Sequence, residues 1–169
     1  VFDALSQRQV MFYFADEKVG DIVASFKWDG RILGAKGDYL HIVDANLGSL
    51  KSDPAINRTV SYTLEPTEEG DLQATASITY EHTGDFDWKT TRYRTYTRLY
   101  VPQGSTFVSA EGNEEELAIS DEHNKTVFGT FISIEPMDAE TLSFTYVLPE
   151  EVNVMINQGN YSLLVQKQA

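Results

Sequence analysis

The sequence predicts a mainly β protein, α+β overall, in which an antiparallel, immunoglobulin-like β-sandwich of about seven strands follows a small strand-helix-strand-strand segment. Beyond residue 55, apolar and polar residues alternate with a period of two, as they do on half-buried antiparallel strands. Turn-forming residues recur at intervals of roughly 8 to 12 residues, which is typical of sandwiches. The nine Tyr and nine Phe residues also favour strands over helices.

The first 54 residues are predicted to form the small α/β segment, which we interpret as the edge of a larger upstream domain. Residues 8–14 (RQVMFYF) form a short apolar run that indicates a buried strand. Two more strands are expected at residues 31–33 and 39–43. Between the first of these three strands and the second, apolar residues recur at helical spacing and predict an amphipathic helix that begins near Asp16. The apolar residues are Val19, Ile22, Val23 and Phe26.

A dense run of turn-forming residues, 44–54 (DANLGSLKSDP), ends this segment. Pro54 biases Asp53 away from the helical conformation, so no helix is expected to continue through the run. We therefore predict a domain boundary here, with residues 1–54 on one side and the β-sandwich, residues 55–169, on the other.

The second part contains the predicted strands of the sandwich, and no helical period interrupts them. The first two strands are joined by the polar turn 65–71 and are expected to pair as a hairpin. The acidic stretch 112–123 is predicted to be an exposed hairpin or loop. The predicted strands span residues 60–64, 72–80, 93–101, 105–110, 126–134, 141–148 and 161–167.

The charge balance argues against several classes of partner. Thirteen Lys and Arg residues against 26 Asp and Glu residues give a formal charge of −13, which repels nucleic-acid phosphates and anionic lipid surfaces. No apolar run approaches the roughly 18 to 20 residues that span a bilayer. We therefore expect no nucleic-acid binding and no direct membrane insertion by this chain.

The sequence carries no pattern that indicates catalysis. GxSxG, HExxH, GxGxxG and P-loop motifs are absent from it, as are cysteines. The three histidines, at positions 41, 82 and 123, lack the spacing of a metal site. We therefore predict a non-catalytic domain without an obligatory cofactor.

One polar cluster could bind a hard cation such as calcium, whose preferred ligands are carboxylate and amide oxygens. The same residues could instead form Asx turns and strand-end caps, in which Asp and Asn side chains accept hydrogen bonds from nearby backbone N–H groups. Both interpretations remain open at this point. The candidate metal ligands are Asp38, Asp44, Asn46 and Asp53.

The basic and aromatic residues between positions 88 and 100 form a candidate binding surface, here called the arginine–aromatic strip. Arg and aromatic side chains are enriched at protein interfaces and can contact sugars. Alternation along the strand places the arginines on one face, where they could instead pair with acidic residues of neighbouring strands. The strip consists of Trp88, Arg92, Arg94, Tyr96, Arg98 and Tyr100.

Several separated motifs resemble the C-terminal part of the bacterial domain-of-unknown-function family 4012. The matching positions, in the order of that family, are residues 38–40 (DYL), 43–46 (VDAN), Lys51 with Asp53, 98–104 (RLYVPQG) and 164–168 (LVQKQ). The resemblance implies an extracytoplasmic domain of a membrane-anchored cell-surface protein. The upstream part of such proteins is reminiscent of the LytR-CpsA-Psr group of cell-wall glycopolymer transferases.

Three functional hypotheses follow. The first is a structural or interaction domain that contacts the upstream domain of the same polypeptide and possible partners such as a cell-envelope glycan or another surface protein. The second is an accessory region of an enzyme that makes or attaches cell-envelope polysaccharide. The third is a calcium-dependent binding module that uses the four oxygen-bearing residues named above.

Overall fold

Two β-sheets face each other across one apolar core in the computed structural model, which describes residues 4–5, 10–48 and 50–168. The described helices are α1 (Glu17–Ser25), a 3-10 turn (Asp53–Ala55) and α2 (Glu150–Asn157). The strands of the described residues are β1 (Asp38–Asn46), β2 (Ile56–Pro66), β3 (Leu72–His82), β4 (Tyr93–Pro102), β5 (Thr106–Glu111), β6 (Ala118–Glu122), β7 (Lys125–Ile134), β8 (Ala139–Val147) and β9 (Leu163–Gln166).

One sheet has the strand order β6-β7-β4-β1-β9 and the other has the order β2-β3-β8-β5. Every pair of neighbouring strands is antiparallel except β1 and β9, which run parallel. The predicted mainly β, mostly antiparallel fold with two sheets is therefore confirmed. All seven strands predicted for the second part are present as β2, β3, β4, β5, β7, β8 and β9.

The core lies between the inner faces of the two sheets. Along β3, Ala74, Ala76, Ile78 and Tyr80 are fully buried, whereas the polar residues between them are only half-buried. In β7 the ring of Phe128 packs between two rings of β8, with centroid distances of 6.4 Å to Phe144 and 5.6 Å to Tyr146. Aromatic pairs at such distances add to the stabilisation from buried area.

A second, smaller apolar cluster lies on the outer face of the five-stranded sheet, where the chain that precedes β1 covers it. Residues 31–33, predicted as a strand, have no strand partner in this region and form coil. The side chain of Gln166 replaces a strand partner, because its oxygen accepts from the N–H of Leu33 at 2.9 Å and its amide donates to the carbonyl of Arg31 at 3.1 Å. The cluster consists of Tyr39, Tyr100 and Val127, covered by Ile32, Ala35, Val43 and Leu164.

The N-terminal segment departs from the prediction in one further element. The predicted helix is confirmed as α1, and the Asp16 side chain caps it by accepting from the N–H of Val19 at 3.1 Å. Residues 10–14 of the predicted first strand are coil, and residues 8 and 9 lie outside the described residues. Phe12 forms a backbone hydrogen bond with Trp28 instead of joining a sheet, so its neighbours remain at the surface.

The boundary predicted after residue 54 falls within the body of the fold. β1 precedes that boundary, yet it is an interior strand of the five-stranded sheet and lies between β4 and β9. The register pairs His41 with Tyr100 and Asn46 with Thr95. Residues 38–46 therefore belong to the same layer as the later strands, because backbone hydrogen bonds join them.

In the second part, the sequence predicted a hairpin or loop where strand β6 lies, and it predicted no helix at the position of α2. The acidic stretch contains β6, which forms the predicted hairpin with β7 through a turn at His123 and Asn124, both with positive φ. Helix α2 follows β8 and places Val152 in the core, while the side-chain oxygen of Asn153 accepts from the N–H of Leu72 at 3.2 Å. With eight residues, α2 is too short to produce a clear helical period.

Replacing Gly112 by alanine is expected to destabilise the fold more than the same change at Gly70. Both glycines have positive φ, +79° and +92°, so both substitutions carry a conformational cost of about 1 to 2 kcal/mol. A Cβ at Gly112 would lie 2.0 Å from the carbonyl oxygen of Thr141, whereas a Cβ at Gly70 meets open space. We expect Gly112→Ala to lose at least about 2 kcal/mol more than Gly70→Ala in urea denaturation; equal losses would contradict this packing.

Candidate functional site

Strand β1 carries two carboxylates into the space between the sheets. Asp38 and Asp44 alternate with the core residues Leu40 and Ile42, so all four side chains lie on the inner face. The two carboxylates are six residues apart along an extended strand, which corresponds to about 20 Å. They therefore cannot bind the same ion.

Asp44 joins both sheets through its two oxygens. Its Oδ1 accepts hydrogen bonds from the hydroxyl groups of Tyr80 at 2.8 Å and Thr97 at 2.7 Å. Its Oδ2 forms an ion pair with Arg58, and the carboxylate is largely buried. The group thus connects β1 and β4 of one sheet with β2 and β3 of the other, which is a structural role.

Asp38 lies at the opposite end of β1, and no basic side chain of the described residues forms an ion pair with it. Its Oδ2 accepts from the hydroxyl groups of Tyr62 at 2.5 Å and Tyr161 at 2.8 Å, and its Oδ1 accepts from the N–H of Tyr39 at 2.7 Å. The residue is 1% exposed. Burial raises the pKa of this carboxyl group above its usual value of 3.8, although the three hydrogen bonds oppose the shift.

Asn46 and Asp53 are the two candidate metal ligands that the structure brings together. The Asn46 amide donates to Oδ2 of Asp53 at 2.8 Å, and its carbonyl oxygen accepts from the N–H of Gly48 at 2.9 Å. The second contact is an Asx turn, as the alternative interpretation of the sequence predicted. In the described part of the chain, no group of three or more His, Asp or Glu residues is arranged to hold a metal ion.

The arginines of the arginine–aromatic strip are paired with glutamates. Arg92 forms an ion pair with Glu135, and Arg98 lies 3.6 Å from Glu122 of β6. Arg94 contacts Glu114 at 3.3 Å and also Glu115 at 2.5 Å. The arginines are thus paired with acidic residues, as one alternative predicted, but the partners come from loops and from β6 and not from the strands adjacent to β4, and each guanidinium already has a protein partner.

The aromatic residues of the strip lie in different environments. Tyr96 packs over Gly129, where an added Cβ would be 2.4 Å from the tyrosine oxygen, while Tyr100 is buried in the outer cluster and donates to Glu122 at 3.1 Å. Trp88 is 79% exposed in the loop between β3 and β4, with the Lys89 ammonium 4.8 Å from its ring centroid. The strip is thus a continuous surface only along β4, and Trp88 lies apart from it.

A surface that the sequence analysis missed lies on the N-terminal segment and is here called the N-terminal apolar layer. The apolar run and the helical stripe were expected to be buried, but Val23 is the α1 residue that is buried. Tyr13 is 92% exposed and Ile22 is 58% exposed. The layer consists of Val10, Met11, Phe12, Tyr13, Phe14, Val19, Ile22 and Phe26.

The N-terminal apolar layer has a defined shape. Its coil part lies against α1, where a Cβ at Gly20 would approach the carbonyl oxygen of Phe14 to 3.7 Å. A shallow hollow between the two parts is lined by apolar and charged residues, which are Phe12, Tyr13, Phe14, Val23, Glu17, Asp21, Asp29 and Arg31. At the other end of the helix, Phe26 stacks on Trp28 with a centroid distance of 4.8 Å. Aromatic side chains are therefore held in place at the surface.

The outer face of the four-stranded sheet is very different, because hydroxyl groups cover its centre. Thr75 and Thr145 lie 3.2 Å apart, and Ser77 accepts from Ser143 at 2.8 Å, so neighbouring strands share hydrogen bonds across this face. Such a face is compatible with water and does not require a partner. Its three rows are Thr59, Thr79 and Thr141; Ser61, Ser77 and Ser143; and Thr63, Thr75 and Thr145.

No family model matches this chain, and no curated protein matches it either. The helices of the described residues are too short, or too polar, to cross a bilayer.

Calcium is expected to leave the melting temperature of the chain unchanged. Among the four candidate ligands, the oxygens of Asp38 and Asp44 accept from protein donors, and Asn46 and Asp53 bond to each other. A cation would have to break these bonds before it could bind. The measurement is thermal unfolding in millimolar calcium and in chelator; a melting temperature that rises and saturates with calcium would contradict this expectation.

Asp44→Asn is expected to destabilise the chain at pH 7 by about 2 kcal/mol, because a neutral amide weakens the hydrogen bonds from Tyr80 and Thr97 and loses the ion pair with the partly exposed Arg58. Asp53→Asn removes a carboxylate of the exposed surface and serves as the control, with an expected loss below about 1 kcal/mol. Urea denaturation of the two variants compares the losses. Equal losses would show that Asp44 does not have the structural role assigned to it.

Asp38→Asn is expected to have the opposite effect, a gain in stability at pH 7, because it removes a charge whose burial is unfavourable. A carboxyl group whose folded-state pKa is raised contributes most stability below its unfolded pKa, and this contribution is lost as pH rises through the raised value. Asparagine keeps hydrogen-bonding groups for Tyr62 and Tyr161 without the buried charge. The gain should disappear near pH 4 in urea denaturation, and a pH-independent difference would be inconsistent with this account.

Proposed function

We propose that this chain is a non-catalytic structural or interaction domain of a bacterial cell-surface protein, and that it docks onto the upstream domain of the same polypeptide through the N-terminal apolar layer. The observation that carries the proposal is the exposure of that layer. Eight large apolar side chains lie at the surface between residues 10 and 26. Contiguous apolar patches of this kind mark interaction sites in soluble proteins.

The energetics favour coverage of the layer. Fully burying one large apolar side chain is worth about 1.5 to 3 kcal/mol, so covering several half-exposed ones provides a substantial driving force. The backbone that carries these side chains is already ordered by α1 and by the hydrogen bond from the N–H of Phe12 to the carbonyl of Trp28, which lowers the entropy lost on docking. The layer is thus prepared as an interface and not as a flexible tail.

The upstream domain is the partner that suits this position. The layer lies at the N-terminal end of the described residues, so a domain joined upstream would be held close to it at an effective concentration of about millimolar. The arginine–aromatic strip and the hydroxyl-covered face offer less driving force, because their polar groups already have partners. We therefore assign the docking to the N-terminal apolar layer.

The remaining parts of the proposal rest on the sequence. The resemblance to family 4012 supports the extracytoplasmic location and the membrane-anchored parent protein, and the number of strands with their turn spacing supports the immunoglobulin-like type of the sandwich. The structural roles of Asp38 and Asp44 support a non-catalytic assignment, since these inward-facing carboxylates bond to tyrosine, threonine and arginine side chains of the fold itself.

Hydrogen exchange tests the docking. Amides of residues 10–28 are expected to exchange more slowly in the full-length gene product than in this chain alone, because the upstream domain covers them. The hydroxyl-covered strands β3 and β8 should exchange equally in both proteins and provide the internal control. Equal exchange of residues 10–28 in both proteins would overturn the proposal.

A matched pair of variants makes the test specific. Ile22 in the layer and Ile119 in β6 are equally exposed, at 58% and 56%. Ile22→Gln is expected to weaken the protection of residues 10–28 in the full-length protein, whereas Ile119→Gln should not. Each change should alter the unfolding free energy of this chain by less than about 0.5 kcal/mol, so that lost protection reports docking and not unfolding.

A further inference from the structure

A polar pocket opens where four connections meet at one end of the sheets. The loop before β1, the β4–β5 turn, the β6–β7 turn and the first turn of α2 surround it. Its volume is about 180 Å³, several times the roughly 30 Å³ that one water occupies in the liquid. The lining includes Lys36, Gln103, Asn124, Lys125 and Glu151.

Lys125 is a buried lysine in the lining of this pocket. Only 6% of this residue is exposed, although lysines are almost never buried without a charged partner. Its ammonium lies 4.6 Å from the ring centroid of Tyr39 and donates one hydrogen bond, of 3.3 Å, to the carbonyl of Asn124. No described carboxylate forms an ion pair with it. An ammonium group has three donors, so hydrogen-bonding capacity remains.

The acidic residue opposite Lys125 in the hairpin does not supply the missing charge. Glu122 is paired with Lys125 in the backbone register, but its Oε2 lies 3.6 Å from Arg98 and accepts from the hydroxyl of Tyr100 at 3.1 Å. Burial lowers the pKa of Lys125 from its usual value, since nothing in the described structure compensates its desolvation. A negative group beside the ammonium would reverse that effect.

Other donors surround the same space. Lys36 brings a second ammonium to the lining, and Gln103 and Asn124 bring amide groups. Helix α2 follows its N-cap Pro149, which makes no side-chain capping hydrogen bond; the N–H groups of Val152 and Asn153 donate to the carbonyl of Pro149, and those of Glu150 and Glu151 lack acceptors within the helix. The positive end of the helix dipole therefore lies beside two lysines in a protein whose net charge is −13.

We propose that this pocket binds the carboxylate group of a small polar molecule, with Lys125 and Lys36 as the charged donors. The carboxylate of Glu151 in the lining would repel a second negative charge, which favours a singly charged carboxylate over a doubly charged phosphate. The amides of Gln103 and Asn124 suit the hydroxyl groups of such a molecule. This site is independent of the docking surface proposed above, because it shares no residue with the N-terminal apolar layer.

Glucuronate and glucose form the matched pair of probes, since the carboxylate distinguishes them. At constant ionic strength, glucuronate is expected to raise the melting temperature in a saturable way and to shift the amide resonances of Gly37, Asn124 and Lys125, whereas glucose should do neither. Inorganic phosphate and sulfate should bind more weakly. Absence of saturable glucuronate binding would overturn the site, and tighter binding of phosphate would overturn the preference for a carboxylate.

Three lysine variants locate the effect. Lys125→Met keeps an apolar stem against Tyr39 and removes the charge, and it should weaken glucuronate binding about tenfold or more. Lys36→Gln, at an exposed position that does not endanger folding, should weaken it about threefold. Lys89→Gln removes an equal charge outside the pocket and should bind as the unmodified chain does. If all three variants bind glucuronate equally well, the proposal is wrong.

Discussion

The Asp44 carboxylate between the two sheets is the interaction on which the arrangement of this fold depends. A buried charge is stable only when its oxygens are hydrogen-bonded and its charge is paired, and here Arg58, Tyr80 and Thr97 meet both requirements from three other strands. These contacts fix how the sheets lie over each other at that end of β1. They also join β1 to its neighbour β4 and to β2 and β3 of the facing sheet.

Because β1 is an interior strand, the apolar side chains on its outer face must be covered by another part of the chain. The segment before the strand and the C-terminal strand β9 provide it, with Gln166 donating to Arg31 and accepting from both Leu33 and Tyr39. The residues before this cover turn away from the sheets and form the N-terminal apolar layer. The exposed apolar surface thus follows from where the chain must travel before it enters the sheet.

Much of the fold was predictable from local pattern. The strands β2, β3, β4 and β8 each alternate over several residues, and α1 has both an apolar stripe and an Asp16 cap. The missed elements lack such a pattern: α2 has eight residues, and β6 lies within an acidic run whose composition suggests a loop. The arginine–aromatic strip could be placed on one strand face, but its glutamate partners come from loops and strands up to 43 residues away.

By itself, the sequence determined the strand-rich class, the helix at Asp16, the acidic surface and most strand positions, because these depend on residues that are neighbours along the chain. The tertiary structure decided which faces are covered. The apolar run and the stripe of α1 resemble core segments, yet no sheet lies over them, and Lys125 resembles a surface lysine, yet four connections enclose it. Burial depends on what packs against a residue from distant parts of the chain, and a local pattern does not contain that information.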